Sequence, residues 1–545
     1  MLKPLFTLLL AAFAATATAQ TATALVPQPA EVTNGVGRFV FGKKVRTAVV
    51  GCPNDSAAGV LRRFSADFTA ATGIGVVTSK ASRADLVMRH DATLPAEGYK
   101  LDVTAKRITI AAARPAGFFY ALQTLKQLLP SRAVMAATPD TGVTVWAVPA
   151  VSIADAPRFG WRGFMIDEGR HFFGMQEIKR IIDVMAAYKM NRLHWHLTED
   201  QGWRLEIKKY PLLTEKSAWR PTRVLGWGDV KPDGIHYGGY YTQADAREIV
   251  RYARERFIEI VPEVDIPGHS QAAVAAYPEF LACDPDSAHE VWRYQGVSTD
   301  VINVASPRAV QFAKDVVDEL TDIFPFGYIH LGGDECPTVK WQANAECRKL
   351  LGELGSSNYR DLQIHFYKQI IDHIAAQPTA RHRRLIFWNE VLHGNTAPLG
   401  KDITIMAWIG ADAAARQAIE RGFDVVLSPQ IPYYINRRQS KLPTEPRSQG
   451  HGTETVEAVY AYKPMDKATA AQTARCLGVQ ANFWTEWVED GRTVEYLMLP
   501  RLAAVAEAGW TPADRRDWPS FRQRLQSERS FYDLKGLNYG RHIFE

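Results

Sequence analysis

The feature that most restricts the fold of this chain is an alternation of short apolar runs and helix-length amphipathic segments from about residue 157 onward. Such alternation is typical of βα units around a parallel sheet. Eight runs have strand character: residues 163–167, 192–197, 259–264, 328–331, 385–388, 404–408, 424–427 and 479–483. Helical segments follow several of them: residues 175–188, 244–255, 307–323, 359–375, 411–421 and 494–508. Eight such units predict an α/β fold of the (β/α)8 barrel type.

The chain divides into three predicted segments: a signal peptide (1–19), a smaller α+β domain (20–152), and a barrel with a helical C-terminal tail (153–545). Lys3, an apolar core and small residues before Gln20 are typical of a secretory signal. No later run approaches the ~20 apolar residues of a membrane span. We therefore expect an exported protein, periplasmic or extracellular, without a membrane span.

The middle segment has short β-rich runs at 38–41, 47–50 and 108–111, and helical stretches at 57–72 and 116–129. It contains no cluster of carboxylates, so we expect it to be non-catalytic.

Composition excludes several other classes of protein. Among 545 residues, 46% are hydrophobic and 23% charged, which is ordinary for a globular chain. The net charge of +5 is small for this length and forms no basic arm, so we do not expect nucleic acid as a partner. Five cysteines without a CxxC pair or zinc-type spacing predict buried thiols or one or two disulfide bridges.

Carboxylates and tryptophans gather where the predicted strands end, which is the edge at which barrels carry their chemistry. The sharpest of these motifs is His330-Leu-Gly-Gly-Asp334-Glu335. Adjacent residues on an extended chain point to opposite sides, so a bend is needed to bring both acids to one substrate. Two acids among tryptophan walls suit glycoside cleavage, in which one group protonates the leaving oxygen and another stabilises positive charge.

Other interpretations stay open at this point. One acid of the pair could cap a helix while the other is solvated. His194 and His196 lie two residues apart on a strand and could hold a metal, or they could be hydrogen-bonded barrel residues. A conventional glycosidase would pair Glu335 with Glu390 or Glu486, and a silent sugar-binding protein would bind without turnover.

The motifs together resemble the family 20 glycoside hydrolases, the exo-acting β-N-acetylhexosaminidases, over nearly the whole mature chain. The matching segments are 25–29 and 97–125 in the first domain, and 162–164, 167–172, 194–200, 267–269 and 330–335 in the barrel. The resemblance implies retention of anomeric configuration, in which the substrate's own acetamido oxygen attacks the anomeric carbon and forms an oxazolinium ion. It makes Glu335 the general acid and then the base, and it makes Asp334 the group that orients the acetamide.

The resemblance also implies a substrate, an oligosaccharide or glycoconjugate with a terminal β-linked N-acetylhexosamine, and no metal or organic cofactor. It assigns further residues by motif: Arg170 and Glu486 to sugar hydroxyls, Asp200 and His269 to a relay that tunes Glu335, Trp388, Trp408 and Trp484 to the walls of the acetamide pocket, and Tyr434 to the acetamide carbonyl.

One position departs from the pattern of the family, which usually has Tyr-x-Asp after the seventh strand. Here the run is Tyr434-Ile-Asn436, followed by Arg437 and Arg438. Asn436 could make the same hydrogen bonds to sugar hydroxyls while the arginines face solvent. Alternatively, the lost negative charge admits an anionic substituent on the sugar, such as a 6-sulfate.

Overall fold

The computed structural model describes residues 24–53, 55–223, 226 and 233–545. The predicted signal peptide lies outside these residues. Within them, no helix combines the length and the apolar character that crossing a bilayer requires.

The first domain is a seven-stranded mixed sheet with two long helices. Its strands in chain order are β1 Glu31–Val40, β2 Lys44–Val50, β3 Gly75–Thr78, β4 Leu86–His90, β5 Tyr99–Val103, β6 Ile108–Ala112 and β7 Ala147–Asp155. The sheet order is β1-β7-β5-β6-β4-β2-β3. The helices are Ser56–Thr72 and Pro115–Leu128, with a short turn at Ala133–Ala136. Pro115 occupies the first turn of its helix, where a missing N–H costs nothing.

The second domain is a closed barrel of eight parallel strands, which confirms the predicted fold. The strands are β8 Trp161–Asp167, β9 Arg192–His196, β10 Glu259–Glu263, β11 Tyr328–His330, β12 Arg384–Trp388, β13 Ile403–Ala407, β14 Asp424–Leu427 and β15 Cys476–Phe483. β15 pairs with β8 and closes the barrel. All eight overlap the predicted runs, and the strands are almost wholly buried, as expected for parallel strands covered by helices.

The barrel is surrounded by helices Met175–Ala187, Gln243–Arg254, Pro307–Ile323, Arg360–Ala376, Ala411–Glu420, Val456–Ala461, Gly491–Met498 and Arg501–Trp510. Shorter helices lie in the connections at Leu212–Glu215, Gln271–Ala276, Pro278–Leu281, Val339–Ala343, Ala345–Glu353 and Ala470–Ala474. The C-terminal tail forms Trp518–Leu525 and Glu528–Lys535.

The prediction of one continuous helix over residues 494–508 was wrong. Two helices occupy this stretch, and Pro500 separates them. A proline inside a helix removes one backbone hydrogen bond and clashes with the preceding turn, so the chain breaks there.

The two domains meet at the amino ends of β8 and β9, away from the strand ends that carry the acids. Buried Asp155 accepts hydrogen bonds from Tyr99 Oη at 2.7 Å and from Lys189 Nζ at 3.2 Å. Arg162, at the start of β8, binds both carboxylate oxygens of Glu97 at 2.9 and 3.0 Å. Removal of one partner from a buried ion pair leaves the other charge buried without compensation, which is strongly destabilising. These pairs therefore hold the first domain firmly against the barrel.

Candidate active site

The two adjacent acids after β11 reach one site because the backbone bends sharply between them. Gly332, Gly333 and Glu335 all have positive φ, at 65°, 97° and 39°. As a result Asp334 Oδ2 and Glu335 Oε2 lie 3.8 and 3.6 Å from the same nitrogen, Nε2 of His269. Positive φ is uncommon in a residue with a side chain, so the conformation of Glu335 is held by its surroundings.

Both glycines are required by close contacts as well as by φ. A Cβ atom on Gly332 would lie 1.8 Å from Oδ1 of Asp265, and one on Gly333 would lie 2.5 Å from Oη of Tyr367. The N–H of Gly333 donates to Asp265 Oδ1 at 3.0 Å. Asp265 therefore packs directly behind the bend that presents the acids.

Asp265 and Asp334 form a buried pair of carboxyl groups. Burial and the neighbouring charge of Asp334 raise the pKa of Asp265 well above its ordinary value. Burial also raises the pKa of Asp334, although His269 opposes that effect. Two carboxylates that share a site cannot both ionise readily, so the pair retains a proton. Asp265 lies behind Asp334, so we place the proton on Asp265.

His269 links the acid pair to a carboxylate network behind it. Its Nδ1 lies 3.0 Å from Glu199 Oε2 but 3.7 Å from Asp200 Oδ2. The oxygens of Asp200 instead accept the backbone N–H groups of Gln271 and Ser298, each at 3.0 Å. Although burial opposes it, the charge of Glu199 raises the pKa of His269 well above its usual value. The relay that the resemblance assigned to Asp200 and His269 therefore has Glu199 as its nearer carboxylate.

Glu335 is the member of the pair that faces solvent, with 48% of its side chain exposed. Its ion-pair contact with His269, at 3.6 Å, holds the pKa of Glu335 below the usual range. In the ligand-free protein Glu335 is thus a carboxylate beside a protonated imidazole, and Asp334 is almost wholly buried next to it.

Arg170 lies on the side of the site formed by the ends of β8, β9 and β15. Its Nη2 is 2.8 Å from Glu199 Oε1 and its Nη1 is 3.3 Å from Asp167 Oδ2. The guanidinium also lies over the ring of Trp484, 5.1 Å from the ring centre. Although burial opposes it, the charges of Glu199, Asp167 and Glu486 raise the pKa of Arg170. Arg170 is thus held as a cation in a site that also contains carboxylates, and such a combination suits adjacent sugar hydroxyls.

Four aromatic side chains form an aromatic wall of the site, and one of them, Trp484, is the ring under Arg170. Trp408 and Tyr434 stack with planes 8° apart and centres 5.8 Å apart. Trp484 lies 6.0 Å from Trp388 and 6.1 Å from Tyr434. All four are buried at the carboxyl ends of the barrel strands or in the connection after β14. Together they form a rigid apolar surface that can enclose a methyl group and exclude water.

Several buried polar atoms of the site have no hydrogen-bond partner among the described residues: Arg170 Nε, Asp334 Oδ1, Asn436 Oδ1 and Glu486 Oε2. Buried polar atoms almost always have partners in native proteins. A ligand with several hydroxyl or amide groups would supply them here.

The connection after β14 holds Asn436 and its two arginines in different environments. Asn436 is buried and its Nδ2 donates to Gln449 Oε1 at 3.4 Å. Arg438 is exposed. Arg437 is buried and pairs with Glu454 at 3.4 Å, so the expectation that both arginines face solvent was wrong for this residue.

The two histidines considered as metal ligands, His194 and His196, both contact polar groups of the protein. His194 contacts Gln480 through Nδ1 at 3.0 Å and Glu263 through Nε2 at 2.8 Å. His196 contacts Glu263 through Nδ1 and Glu199 through Nε2, the latter at 3.2 Å. Burial opposes it, but the two carboxylates raise the pKa of His196 well above its usual value. A protonated imidazole offers no lone pair to a metal, so these contacts account for His196 as part of the hydrogen-bonded barrel interior. Burial lowers the pKa of His194 to about 4, so that ring is neutral and packs between Gln480 and Glu263.

Sequence reasoning assigned no functional role to Glu199 or Asp265, and it offered Glu390 only as the second carboxylate of a conventional glycosidase. All three residues lie at the carboxyl ends of predicted barrel strands, next to residues that the sequence did single out. Their position at this end of the barrel is the signal that could have identified them. Glu390 accepts the indole N–H of Trp408 at 2.8 Å. Burial, with a contribution from the charge of Asp334, raises the pKa of Glu390 to about 8.

The sequence and fold of this chain are similar to those of known proteins. The sequence profile described as "Glycosyl hydrolase family 20, catalytic domain" matches residues 159–513, and that described as "Glycosyl hydrolase family 20, domain 2" matches residues 22–156. A beta-hexosaminidase of Porphyromonas gingivalis is 38% identical over 94% of this chain, which spans 64% of the length of that relative. A beta-hexosaminidase of Akkermansia muciniphila is 34% identical over 82% of this chain and 86% of its own.

Solved structures agree. The GH20 exo beta-N-acetylglucosaminidase from Vibrio harveyi, in complex with N-acetylglucosamine, superposes with a TM-score of 0.83 at 33% identity. The match covers 95% of this chain and 78% of the Vibrio harveyi chain.

Proposed function

The chain belongs to glycosyl hydrolase family 20, and from that premise we propose that it is an exo-acting, retaining β-N-acetylhexosaminidase that releases terminal β-linked GlcNAc or GalNAc. The observation that carries the proposal is the placement of Asp334 and Glu335 on one nitrogen of His269, at 3.8 and 3.6 Å. Neighbouring acids held this way can serve two different atoms of one sugar.

The reaction begins with Glu335 and the glycosidic oxygen. A sugar seated on the aromatic wall covers the exposed carboxyl of Glu335, and the lost hydration raises its pKa toward the protonated form. Glu335 then donates its proton to the leaving oxygen as the bond from that oxygen to the anomeric carbon breaks. His269, as an imidazolium, remains within reach of the carboxylate that this leaves behind.

The nucleophile is the acetamido oxygen of the substrate, which bonds to the anomeric carbon and forms an oxazolinium ion. Asp334 accepts the acetamide N–H and offsets the positive charge that develops on that nitrogen. Trp388, Trp408 and Trp484 hold the methyl group in place, and the hydroxyl of Tyr434 donates a hydrogen bond to the acetamide oxygen. Water, deprotonated by Glu335, then opens the oxazolinium ion from the face the leaving group vacated, so configuration is retained.

The test compares 4-nitrophenyl β-N-acetylglucosaminide with 4-nitrophenyl β-glucoside. We expect kcat/KM at least ~10²-fold higher for the acetamido sugar, because an intramolecular nucleophile has a very high effective concentration. Equal cleavage of both sugars would move the nucleophile to a protein carboxylate such as Glu390 or Glu486. Loss of activity to a chelator would favour a metal-dependent hydrolase.

The variant E335Q should lose about 10²- to 10⁴-fold in kcat, the usual contribution of a general acid. E353Q is the matched control, because Glu353 is 60% exposed and pairs with Lys349 at 3.8 Å on the surface. Wild-type activity in E335Q would refute the assignment of the acid.

We propose further that Asn436 lets the site accept a 6-sulfated sugar. The support is that a buried amide, with its Oδ1 unpartnered, stands where the family usually has a carboxylate. A carboxylate near a sulfate would repel it by more than ~1.4 kcal/mol, or tenfold in binding. N436D should therefore lower kcat/KM for the 6-sulfate at least ~10-fold relative to the unsulfated sugar. An unchanged ratio, or no turnover of the sulfated compound by wild type, would reject the idea.

We also propose that the protein is exported to the periplasm or beyond, on the strength of the signal-like sequence before Gln20. The intact mass of the full chain expressed in a secreting bacterium should correspond to a new N-terminus near Gln20. A mass that includes residues 1–19 would contradict export by this signal.

A further inference from the structure

Two connections on the catalytic rim touch along a line that we call the loop seam. One side is residues 282–303, which follow β10 and the turn carrying His269. The other is residues 340–347, which follow β11 and the acid pair. The indole N–H of Trp341 donates to the carbonyl of Ile302 at 2.9 Å. Lys340 Nζ binds Asp284 Oδ2 at 2.7 Å and Asp300 Oδ1 at 3.2 Å. One hydrogen bond and two ion pairs thus join the connection after β10 to the connection after β11.

Two cysteines lie at one end of the loop seam, and one amide side chain holds both. Asn344 donates through Nδ2 to the carbonyl of Cys283 at 2.9 Å and accepts through Oδ1 from the N–H of Cys347 at 2.9 Å. The thiols approach neighbouring acceptors: Cys283 Sγ is 3.9 Å from the carbonyl of Val301, and Cys347 Sγ is 3.4 Å from Asn303 Oδ1.

The two thiols also interact with each other. Each thiol is the largest influence on the pKa of the other, which is lowered at Cys347 and raised at Cys283. The bridge through Asn344, at 2.9 Å on each side, is the contact that keeps the two residues together. Two cysteines held side by side in this way are the arrangement from which thiol–disulfide exchange can form a bond between them. The other cysteines lack this arrangement: burial raises the pKa of Cys336 and of Cys476 to about 12.

We propose that Cys283 and Cys347 form a disulfide bond that locks the loop seam. The oxidant is a small or protein disulfide. One of the two cysteines loses its proton, attacks one sulfur of the oxidant, forms a mixed disulfide and releases the first thiol. The other cysteine then loses its proton, attacks the protein sulfur of that mixed disulfide and releases the second thiol. Each cysteine gives up one proton and one electron, and the oxidant takes up two of each.

The bond would tie the connection after His269 to the connection after Glu335. The closed loop is long, from residue 283 to residue 347, and closing a long loop restricts the unfolded chain strongly. We therefore expect its main effect on stability, with the two catalytic connections held together at elevated temperature.

The experiment maps disulfides in full-length protein equilibrated with a mixture of oxidised and reduced glutathione. After denaturation and alkylation, three of the five cysteines should be alkylated. Trypsin should release a crosslinked pair of peptides, 257–293 with 341–348, which reducing agent separates. Alkylation of all five cysteines, or a crosslink between any other pair, would overturn the proposal.

Variants give an independent readout. C283S should retain four alkylated cysteines under the same conditions, whereas the matched control C52S, which alters the first domain, should retain two. Oxidised wild type and C52S should melt a few degrees above their reduced forms, and C283S should show no such difference. A redox-dependent melting temperature in C283S equal to that of wild type would also refute the bond. If C283S fails to fold, the peptide map of the wild type still decides the question.

Discussion

The proton shared by Asp265 and Asp334 gives the sharpest prediction. Oxygens of these two side chains and a nitrogen of His269 lie within 4.8 Å of one another. Two unit charges about 4 Å apart repel by about 4 kcal/mol at an effective dielectric constant of ~20, which equals roughly three pKa units. That repulsion, added to burial, exceeds what one imidazolium offsets, so Asp265 remains a neutral acid that donates to Asp334. Asp334 then stays an anion that faces the acetamide.

Replacement of Asp265 by asparagine keeps this arrangement without a titrating proton. The amide oxygen can still accept the N–H of Gly333, and the amide nitrogen can still donate to Asp334. We expect kcat for D265N within about threefold of wild type. D265A is the contrasting variant: it leaves the buried Gly333 N–H and one oxygen of Asp334 unpaired, at about 1–3 kcal/mol each, so kcat should fall about 10- to 10³-fold.

The assay is kcat for 4-nitrophenyl β-N-acetylglucosaminide across the pH range, together with the free energy of unfolding. The folded-state pKa of Asp265 is raised, so its contribution to stability is complete below the unfolded pKa and is lost as pH rises through the folded pKa. Wild type should lose stability over that window relative to D265N. If D265N loses as much kcat as D265A, Asp265 acts as a charge and the reasoning fails.

Other changes follow from the same contacts. E199Q removes the carboxylate shared by Arg170 and His269, so kcat/KM should fall about 10²-fold, at 1.5–3 kcal/mol per charged hydrogen bond; an unchanged kcat/KM would restore Asp200 as the relay partner. E390Q should keep its kcat as pH rises through about 8, whereas the kcat of wild type should decline there because ionised Glu390 adds a negative charge near the catalytic acids. If kcat declines equally in both proteins above pH 8, another group causes the decline. G332A should fail to accumulate as soluble protein, because its Cβ would overlap a carboxylate at 1.8 Å; normal expression and melting would contradict the contact.

The barrel could be predicted because its strands carry a signal that is local. Each parallel strand is buried on both faces, so it reads as a short apolar run, and polar residues begin where the strand leaves the core. That rule located the ends of β8, β9 and β10 to within a residue or two. The break at Pro500 was equally local and should have been found, since proline inside a helical pattern is a direct signal of interruption.

The partners of His269 could not be found in this way. Glu199 and Asp200 are neighbours, and sequence gives no measure of which one faces the histidine. The choice is made by the small hairpin in which Thr198–Glu199 pairs with Gly202–Trp203. That hairpin turns Asp200 toward the backbone N–H groups of Gln271 and Ser298 and leaves Glu199 at 3.0 Å from the ring. The longer side chain of glutamate reaches from the hairpin to both His269 and Arg170.

The protonation of the site is likewise a property of the packed barrel. Glu335 and Asp334 are adjacent in sequence, yet contact with His269 lowers the pKa of Glu335 while burial raises that of Asp334. Glu335, the exposed acid, is thus ionised until a sugar covers it. Asp334, the buried acid, stays charged because Asp265 behind it carries the proton. Substrate binding itself therefore converts Glu335 to the acid form, and a ligand that leaves Glu335 exposed, such as a lone acetamide, should bind without raising its pKa. Titration of Glu335 by carboxyl-labelled NMR, first with acetamide and then with a GlcNAc-derived inhibitor, would separate the two cases. Equal pKa values of Glu335 in both complexes would mean that covering the carboxyl group is not what protonates it.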